Sequence, residues 1–101
     1  MERFNVLVCG SPRYDQAEKV RYALNRLAWT QGDIRVIHLG GEGAAAGARW
    51  YASARGWPVE QSFGPVVFKD ERIDYVLRFG DDASGVVEEA RSRSITVGEV
   101  A

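Results

Sequence analysis

The stretch that decides the fold of this chain is Val6-Leu7-Val8-Cys9-Gly10-Ser11-Pro12-Arg13, in which an apolar run ends in a glycine, a hydroxyl, a proline and a cation. A short continuous apolar run is typical of a strand buried on both faces of a parallel sheet. Gly10 permits a tight turn and the close approach of a ligand. A helix directly after this turn would point free N–H groups at the same space. The stretch therefore predicts the first strand and phosphate-facing turn of a nucleotide-binding domain, with an ordinary strand-to-loop junction as the alternative.

The length and composition predict one folded domain with no general affinity for nucleic acid or membranes. The chain has 101 residues, of which 46% are hydrophobic and 11% aromatic, and its net charge is −1. No apolar run approaches the roughly 20 residues that span a bilayer. The single cysteine excludes an internal disulfide and a cysteine-rich metal site. Since no charged and apolar leader pattern opens the sequence, we expect a cytoplasmic protein.

Strands and helices alternate along the predicted domain. Helices are predicted at residues 15–30, 44–55 and about 86–91, the first capped by Asp15 with Glu18 as a capping box. Gly32 and Gly56 are the expected helix terminators. After a turn at Phe63-Gly64-Pro65, residues 66–69 are either a single helical turn or an extended piece. The predicted strands lie at residues 6–9, 34–39, 57–61, 73–79 and 95–97.

This alternation predicts an α/β fold, a small Rossmann-like three-layer domain over residues 1–101. We expect a five-stranded parallel sheet of order 3-2-1-4-5 with about three helices, the first two on one face and the third on the other. Three glycine-bearing turns then lie at the carboxyl edge of the sheet, where ligands bind in such folds. The residues of these turns that we expect to bind a ligand are Gly10, Ser11, Arg13, Gly40, Gly41, Gly43, Gly80, Asp81, Asp82 and Ser84.

The sequence resembles the SLOG superfamily, a Rossmann-like group that includes DprA and the Lonely Guy cytokinin-activating enzymes. Residues 6–11 match the opening V-x-V-x-G-S of its small YspA-like branch, and Arg13 matches the next residue of that motif after a one-residue shift. His38-Leu39-Gly40-Gly41-Glu42-Gly43-Ala44-Ala45 is similar to the branch's H-G-G-A-R-G-A-D, with Arg49-Trp50-Tyr51-Ala52 similar to its R-W-A run. Weaker similarity extends over Gly64-Pro65, residues 76–80 and residues 88–97. The resemblance implies binding of a nucleotide or nucleotide-derived ligand.

The departures from the family pattern bear on activity. Glu42 stands where the family has arginine, Ala45 where it has aspartate, and Val67-Phe68 where it has an R-N pair. A glutamate about 4 Å from a phosphate would repel it by roughly 1 to 4 kcal/mol. In the enzymatic relatives the third loop reads P-G-G-x-G-T-x-x-E, and only its glutamate, which is catalytic there, is kept here, as Glu88.

We therefore predict a non-catalytic domain that binds a nucleotide-like small molecule, with no other cofactor and no metal. One alternative is a nucleotide phosphoribohydrolase-like enzyme, a nucleoside-monophosphate N-glycosidic hydrolase in which Glu88 would polarise the ribose. Another is a degenerate scaffold that acts through protein or self association. His38, the single histidine, is expected to make a structural hydrogen bond. Asp81 and Asp82 could hold a divalent ion, but a helix cap with solvated acids is the simpler interpretation.

A homodimer or larger oligomer is expected from the coverage of the sheet. Both faces of a parallel sheet need covering, and residues 62–72 are too short to supply the further helix that the family has there. One face would then lack about one helix, which leaves apolar surface in water. The residues predicted to form the resulting contact surface are Phe63, Val66, Val67, Phe68, Val86 and Val87.

Overall fold

A computed structural model describes residues 3–64 and 66–101 as an α/β domain. Its five strands form one parallel sheet of order β3-β2-β1-β4-β5, so the predicted fold class and strand order are confirmed. The described part of the chain forms four helices rather than three. The elements in chain order are β1 (Phe4–Gly10), α1 (Ala17–Gln31), β2 (Ile34–His38), α2 (Ala44–Arg55), β3 (Val59–Gln61), α3 (Val67–Asp70), β4 (Tyr75–Phe79), α4 (Val86–Ser92) and β5 (Thr96–Val100).

Helices α1 and α2 cover one face of the sheet, as the right-handed crossovers predict. Alternate residues of each strand point to this face, among them Val6 and Val8 of β1 and Val36 of β2. Val20 and Leu24 of α1 meet them from above, and small side chains let α2 lie close to the sheet. The buried residues that α2 contributes to this core are Ala44, Ala48 and Ala52.

Helices α3 and α4 cover the opposite face. Leu7, Ile37 and Val76 point to it from three adjacent strands. The single turn α3 buries Val67 and Phe68 there, and α4 buries Val86, Val87 and Ala90. The predicted lack of a cover on this face is therefore wrong. Short as it is, the segment after β3 places an apolar turn on the sheet.

The predicted contact surface is corrected by the same observation. Val67, Phe68, Val86 and Val87 are at most 8% exposed within a single chain, so they are core residues. Phe63 and Val66 alone of the six are exposed. The other four cannot form an intersubunit surface without opening the fold.

The ends of the elements show smaller differences. α1 begins at Ala17 with Gln16 as its N-cap and no side-chain cap, so the predicted Asp15 cap is wrong. Gly32 and Gly56 end α1 and α2 as predicted, and α2 has the predicted bounds. β3 is confined to Val59–Gln61, because the N–H of Trp57 donates back to the carbonyl of Ala52 in α2 and Pro58 has no N–H to give the sheet. The predicted turn at residues 63–65 includes Pro65, which lies outside the described residues.

None of the helices in the described ranges has the length and apolar character needed to cross a membrane.

Candidate functional site

The first turn of the carboxyl edge, residues 10–13 at the end of β1, is held against β4. Gly10 has φ 153°, and a Cβ there would lie 3.0 Å from the carbonyl carbon of Phe79, so only glycine fits. The N–H of Ser11 donates to the carbonyl of Phe79 at 3.1 Å, and the Ser11 hydroxyl oxygen accepts the N–H of Arg13 at 3.1 Å. The Arg13 side chain is exposed and has no hydrogen-bond or ion-pair partner within the described residues. The turn therefore presents a fixed backbone and a cation that is available to a ligand.

The second turn packs directly on the first. Gly40, Gly41 and Gly43 all have positive φ, between 71° and 85°. A Cβ on Gly43 would lie 2.7 Å from the carbonyl carbon of Pro12 and closer still to the carbonyl oxygen of Ser11. Gly43 thus brings the start of α2 against the turn that carries Arg13. A Cβ on Gly41, by contrast, would meet no atom within 4 Å, so the backbone there is open to an approaching group.

The N-terminus of α2 is free of a side-chain cap. Gly43 is the N-cap and supplies no side chain, and the first backbone bond runs from the N–H of Gly47 to the carbonyl of Gly43 at 3.0 Å. The N–H groups of residues 44–46 therefore have no acceptor within the helix. α2 has 12 residues, and the dipoles of its peptide units add to a partial positive charge at this end. This end of the helix suits an anion.

Two basic side chains stand beside that helix end. His38 closes β2 on the α2 side of the sheet, and its Nδ1 accepts the N–H of Gly40 at 3.1 Å, which confirms the predicted structural hydrogen bond. The neutral ring therefore carries its proton on Nε2. The His38 Nε2 has no hydrogen-bond partner among the described residues. Since every fully buried side-chain nitrogen or oxygen of those residues has such a partner, Nε2 must be in contact with solvent.

Arg49 of α2 is the second of these groups. Burial, and after it the positive charge of Arg49, lowers the pKa of His38 below 6.5. Arg49 is half-buried and makes no hydrogen bond or ion pair with a described residue. Its charge acts on the His38 ring, which places the guanidinium near the end of β2. Sequence reasoning did not place Arg49 in the site. Its position one and a half turns after a glycine-rich helix start is the signal that could have found it.

The third turn has a different character, because its polar side chains bind one another. The Ser84 hydroxyl donates to the Asp82 carboxylate at 2.7 Å and accepts the N–H of Val86 at 3.4 Å. The N-cap of α4 is Gly85, which has no side-chain cap, so the expected cap by Asp81 or Asp82 is wrong. The Asp82 carboxylate also lies near Cys9, where its charge adds to burial in raising the pKa of the Cys9 thiol. Gly80 lies beside the first turn, with a Cβ position 3.4 Å from the Tyr14 ring, and Asp81 is exposed.

The carboxylates of this edge do not converge on one point. Glu88 is exposed in the first turn of α4, on the sheet face opposite to α2. Glu42 is exposed in the second turn. Within the described ranges, no three histidine, cysteine or acidic side chains are close enough to hold a metal ion. The first and second turns thus carry Arg13 and the acid Glu42, with Arg49 nearby, whereas the third turn carries only the acids Asp81 and Asp82.

Comparison with known proteins finds no family model, no curated protein and no solved structure that matches this chain.

Proposed function

We propose that the protein binds a phosphorylated, nucleotide-like small molecule at the carboxyl edge of the sheet, without catalysis, as a SLOG-like domain. The observation that carries the proposal is the contact between Gly43 and the Ser11–Pro12 backbone. That contact joins Arg13, a cation with no partner among the described residues, to a helix N-terminus with no side-chain cap. Free N–H groups and an arginine together are the groups that recognise phosphate oxygens.

The side chains beside the N-terminus of α2 favour binding of an anion over binding of a cation. The Nε2–H of His38 is a donor, and Arg49 adds a second positive charge that no described carboxylate neutralises. The open backbone at Gly41 leaves room for a phosphate oxygen to reach the N–H groups of residues 41–46. Asp82 and Ser84 bind each other beside the start of α4, so in this proposal they border the site and do not contact phosphate.

No observation favours the hydrolase alternative. A glutamate that polarises a ribose must touch the nucleotide held by the phosphate site. Glu88 is on the α4 face, whereas the free N–H groups belong to α2 on the other face. We therefore expect no release of free base from nucleoside monophosphates, and turnover that disappears in Glu88→Ala would overturn this expectation.

Isothermal titration with adenosine monophosphate, adenosine and inorganic phosphate tests the proposal. The monophosphate should bind, and adenosine, which lacks the phosphate, should bind much more weakly. Arg13→Ala should weaken binding of the monophosphate by about 1.5 to 3 kcal/mol, the contribution of a hydrogen bond to a charged group. Arg3→Ala is the matched control, since Arg3 is equally exposed but lies at the amino edge of the sheet. Equal affinity of Arg13→Ala and the parent, or the absence of binding across a panel of nucleotides, would refute the proposal.

Charge reversal at Glu42 provides an independent test. Glu42 is exposed in the turn that leads to the free end of α2. If its carboxylate opposes a bound phosphate, Glu42→Arg should strengthen binding of the monophosphate and leave adenosine unaffected. Unchanged or weaker binding would show that this side chain points away from the ligand.

A further inference from the structure

The outer ridge of α1 is a surface that the proposed ligand site does not use. It consists of Glu18, Tyr22, Arg26 and Trp29, all on the solvent side of the helix. Trp29 is 91% exposed and Tyr22 is 65% exposed, values that are unusual for aromatic side chains of a folded domain. Core residues Val20 and Leu24 lie on the opposite side of the same helix. At about 100° per residue, Tyr22 stands nearly opposite to the centre of the buried side.

The charges of this ridge are arranged symmetrically about Tyr22. Glu18 precedes Tyr22 by four residues and Arg26 follows it by four, so each lies about 6 Å from it along the helix axis. When two such helices cross antiparallel at Tyr22, Glu18 of each copy meets Arg26 of the other. The ridge is therefore complementary in charge to a second copy of itself, which is the requirement of a two-fold interface.

We propose that two copies of this chain associate through their α1 ridges, antiparallel about a two-fold axis at Tyr22. Tyr22 packs against Tyr22 of the other copy, with a Glu18–Arg26 ion pair on each side. Trp29, seven residues after Tyr22, then lies level with Asp15 of the other copy, just before its α1 begins.

The internal partners of the two charged groups leave them available for this contact. Among the described residues, Glu18 is paired only with Arg21, at 3.8 Å, which is near the limit of an ion pair, and its side chain is 92% exposed. The Arg26 guanidinium stands 6.0 Å from the centre of the Tyr22 ring and has no ion-pair partner among the described residues. In the monomer, therefore, neither charge has a strong partner.

The apolar area of the ridge fits a dimer of modest affinity. At their observed exposure, the side chains of Tyr22 and Trp29 together present on the order of 350 Å² of accessible surface. A standard interface buries about 800 Å² on each partner, and the surface beside the ridge supplies more. A groove of about 750 Å³ runs along α1 there, with Tyr75, Leu77 and Val100 of the sheet as its apolar floor.

A charge swap tests the proposal. Sedimentation velocity or light scattering between about 1 and 200 μM should find the parent at twice 11.2 kDa at the upper concentrations. Arg26→Glu and Glu18→Arg should each weaken the dimer at least about tenfold, because like charges then face each other twice. The double variant Glu18→Arg/Arg26→Glu should restore it. Lys69→Glu is the control, since Lys69 is exposed on the opposite face of the sheet and its replacement makes the same charge change as Arg26→Glu.

Each outcome has a definite meaning. A parent that stays monomeric throughout this range overturns the proposal. So does a dimer whose affinity is unchanged in Arg26→Glu, or a double variant as weak as the single ones. Trp29→Ser, which removes apolar area without changing charge, should weaken the dimer in the same assay, and an unaffected dimer would also contradict the interface.

Discussion

Replacement of Gly43 by alanine is the perturbation that most directly probes the contact between the two turns. Gly43 has φ 71° and ψ −130°, a conformation that L-residues rarely adopt. The strain of positive φ costs about 1 to 2 kcal/mol. The new methyl group would also collide with the backbone of Ser11 and Pro12, and overpacking of this kind adds roughly 1 to 3 kcal/mol. We therefore expect Gly43→Ala to lower the free energy of unfolding by about 2 to 5 kcal/mol.

Gly41→Ala is the matched control for this experiment. Gly41 belongs to the same turn and has φ 83°, but a Cβ there meets nothing within 4 Å. This variant should lose only the strain of about 1 to 2 kcal/mol. Urea unfolding followed by tryptophan fluorescence measures both values. If Gly41→Ala is destabilised as much as Gly43→Ala, the close approach of α2 to the first turn does not exist.

The remaining predictions concern the titratable groups of the carboxyl edge. Burial and the charge of Arg49 hold the pKa of His38 below 6.5, so an NMR titration of this single imidazole should give a value below 6.5 that rises in Arg49→Gln. Because the unfolded chain then binds the proton at a higher pH than the folded one, the free energy of unfolding should fall as the pH drops below about 6.5; a His38 that titrates at or above 6.5 would contradict this. Burial, followed by the charge of Asp82, raises the pKa of the Cys9 thiol to about 12. Native Cys9 should therefore react with a thiol reagent at pH 8 only as fast as the protein opens, and rapid labelling without unfolding would show that the thiol is accessible.

The sheet could be predicted from the sequence because its central strands β1 and β2 are buried on both faces. The continuous apolar runs of β1 and β2 fit strands in the middle of a parallel sheet, and a glycine stands at or just after the end of each strand. The strand order followed from the connections and the rule of right-handed crossovers. These features depend on local composition and chain topology, which the sequence contains.

The role of the segment after β3 could not be predicted in the same way. α3 has four residues, too few for a helical period to be recognised. What makes it part of the core is the packing of Val67 and Phe68 against Leu7 and Ile37, which are distant in sequence. Because this packing cannot be recognised in the sequence, one face of the sheet was expected to lack a helix. The predicted contact surface between subunits depended on that expectation.

The start of α1 shows how tertiary contacts override a local signal. Asp15 and Glu18 have the spacing of a capping box, yet the helix begins two residues later. Tyr14 packs on Phe79 with ring centres 5.4 Å apart, and its N–H donates to the carbonyl of Ser11. These contacts hold the six residues between β1 and α1 in a loop. The N-terminus of α1 therefore does not point at the first turn. The free helix end of the edge belongs to α2.

The candidate site was predicted at the level of turns but not of individual groups. Sequence patterns placed three glycine-bearing turns at one edge, and the structure has them there. Which polar groups remain available depends on their partners. Asp82 and Ser84 bind each other and α4, whereas Arg13 and Arg49 bind no described side chain. Such pairings are set by distances of a few ångströms, which spacing in the sequence does not specify.

Amide chemical shifts during a titration with phosphate-bearing ligands test the central claim most directly. In ¹H–¹⁵N spectra, adenosine monophosphate and inorganic phosphate should both shift the amides of residues 41–46, whose N–H groups surround the proposed anion site, and those of Ser11 and Arg13 in the adjoining turn. Adenosine should leave residues 44–46 unshifted. No change at millimolar phosphate and monophosphate, or changes confined to the groove between α1 and β5, would contradict the assignment of an anion site to the carboxyl edge.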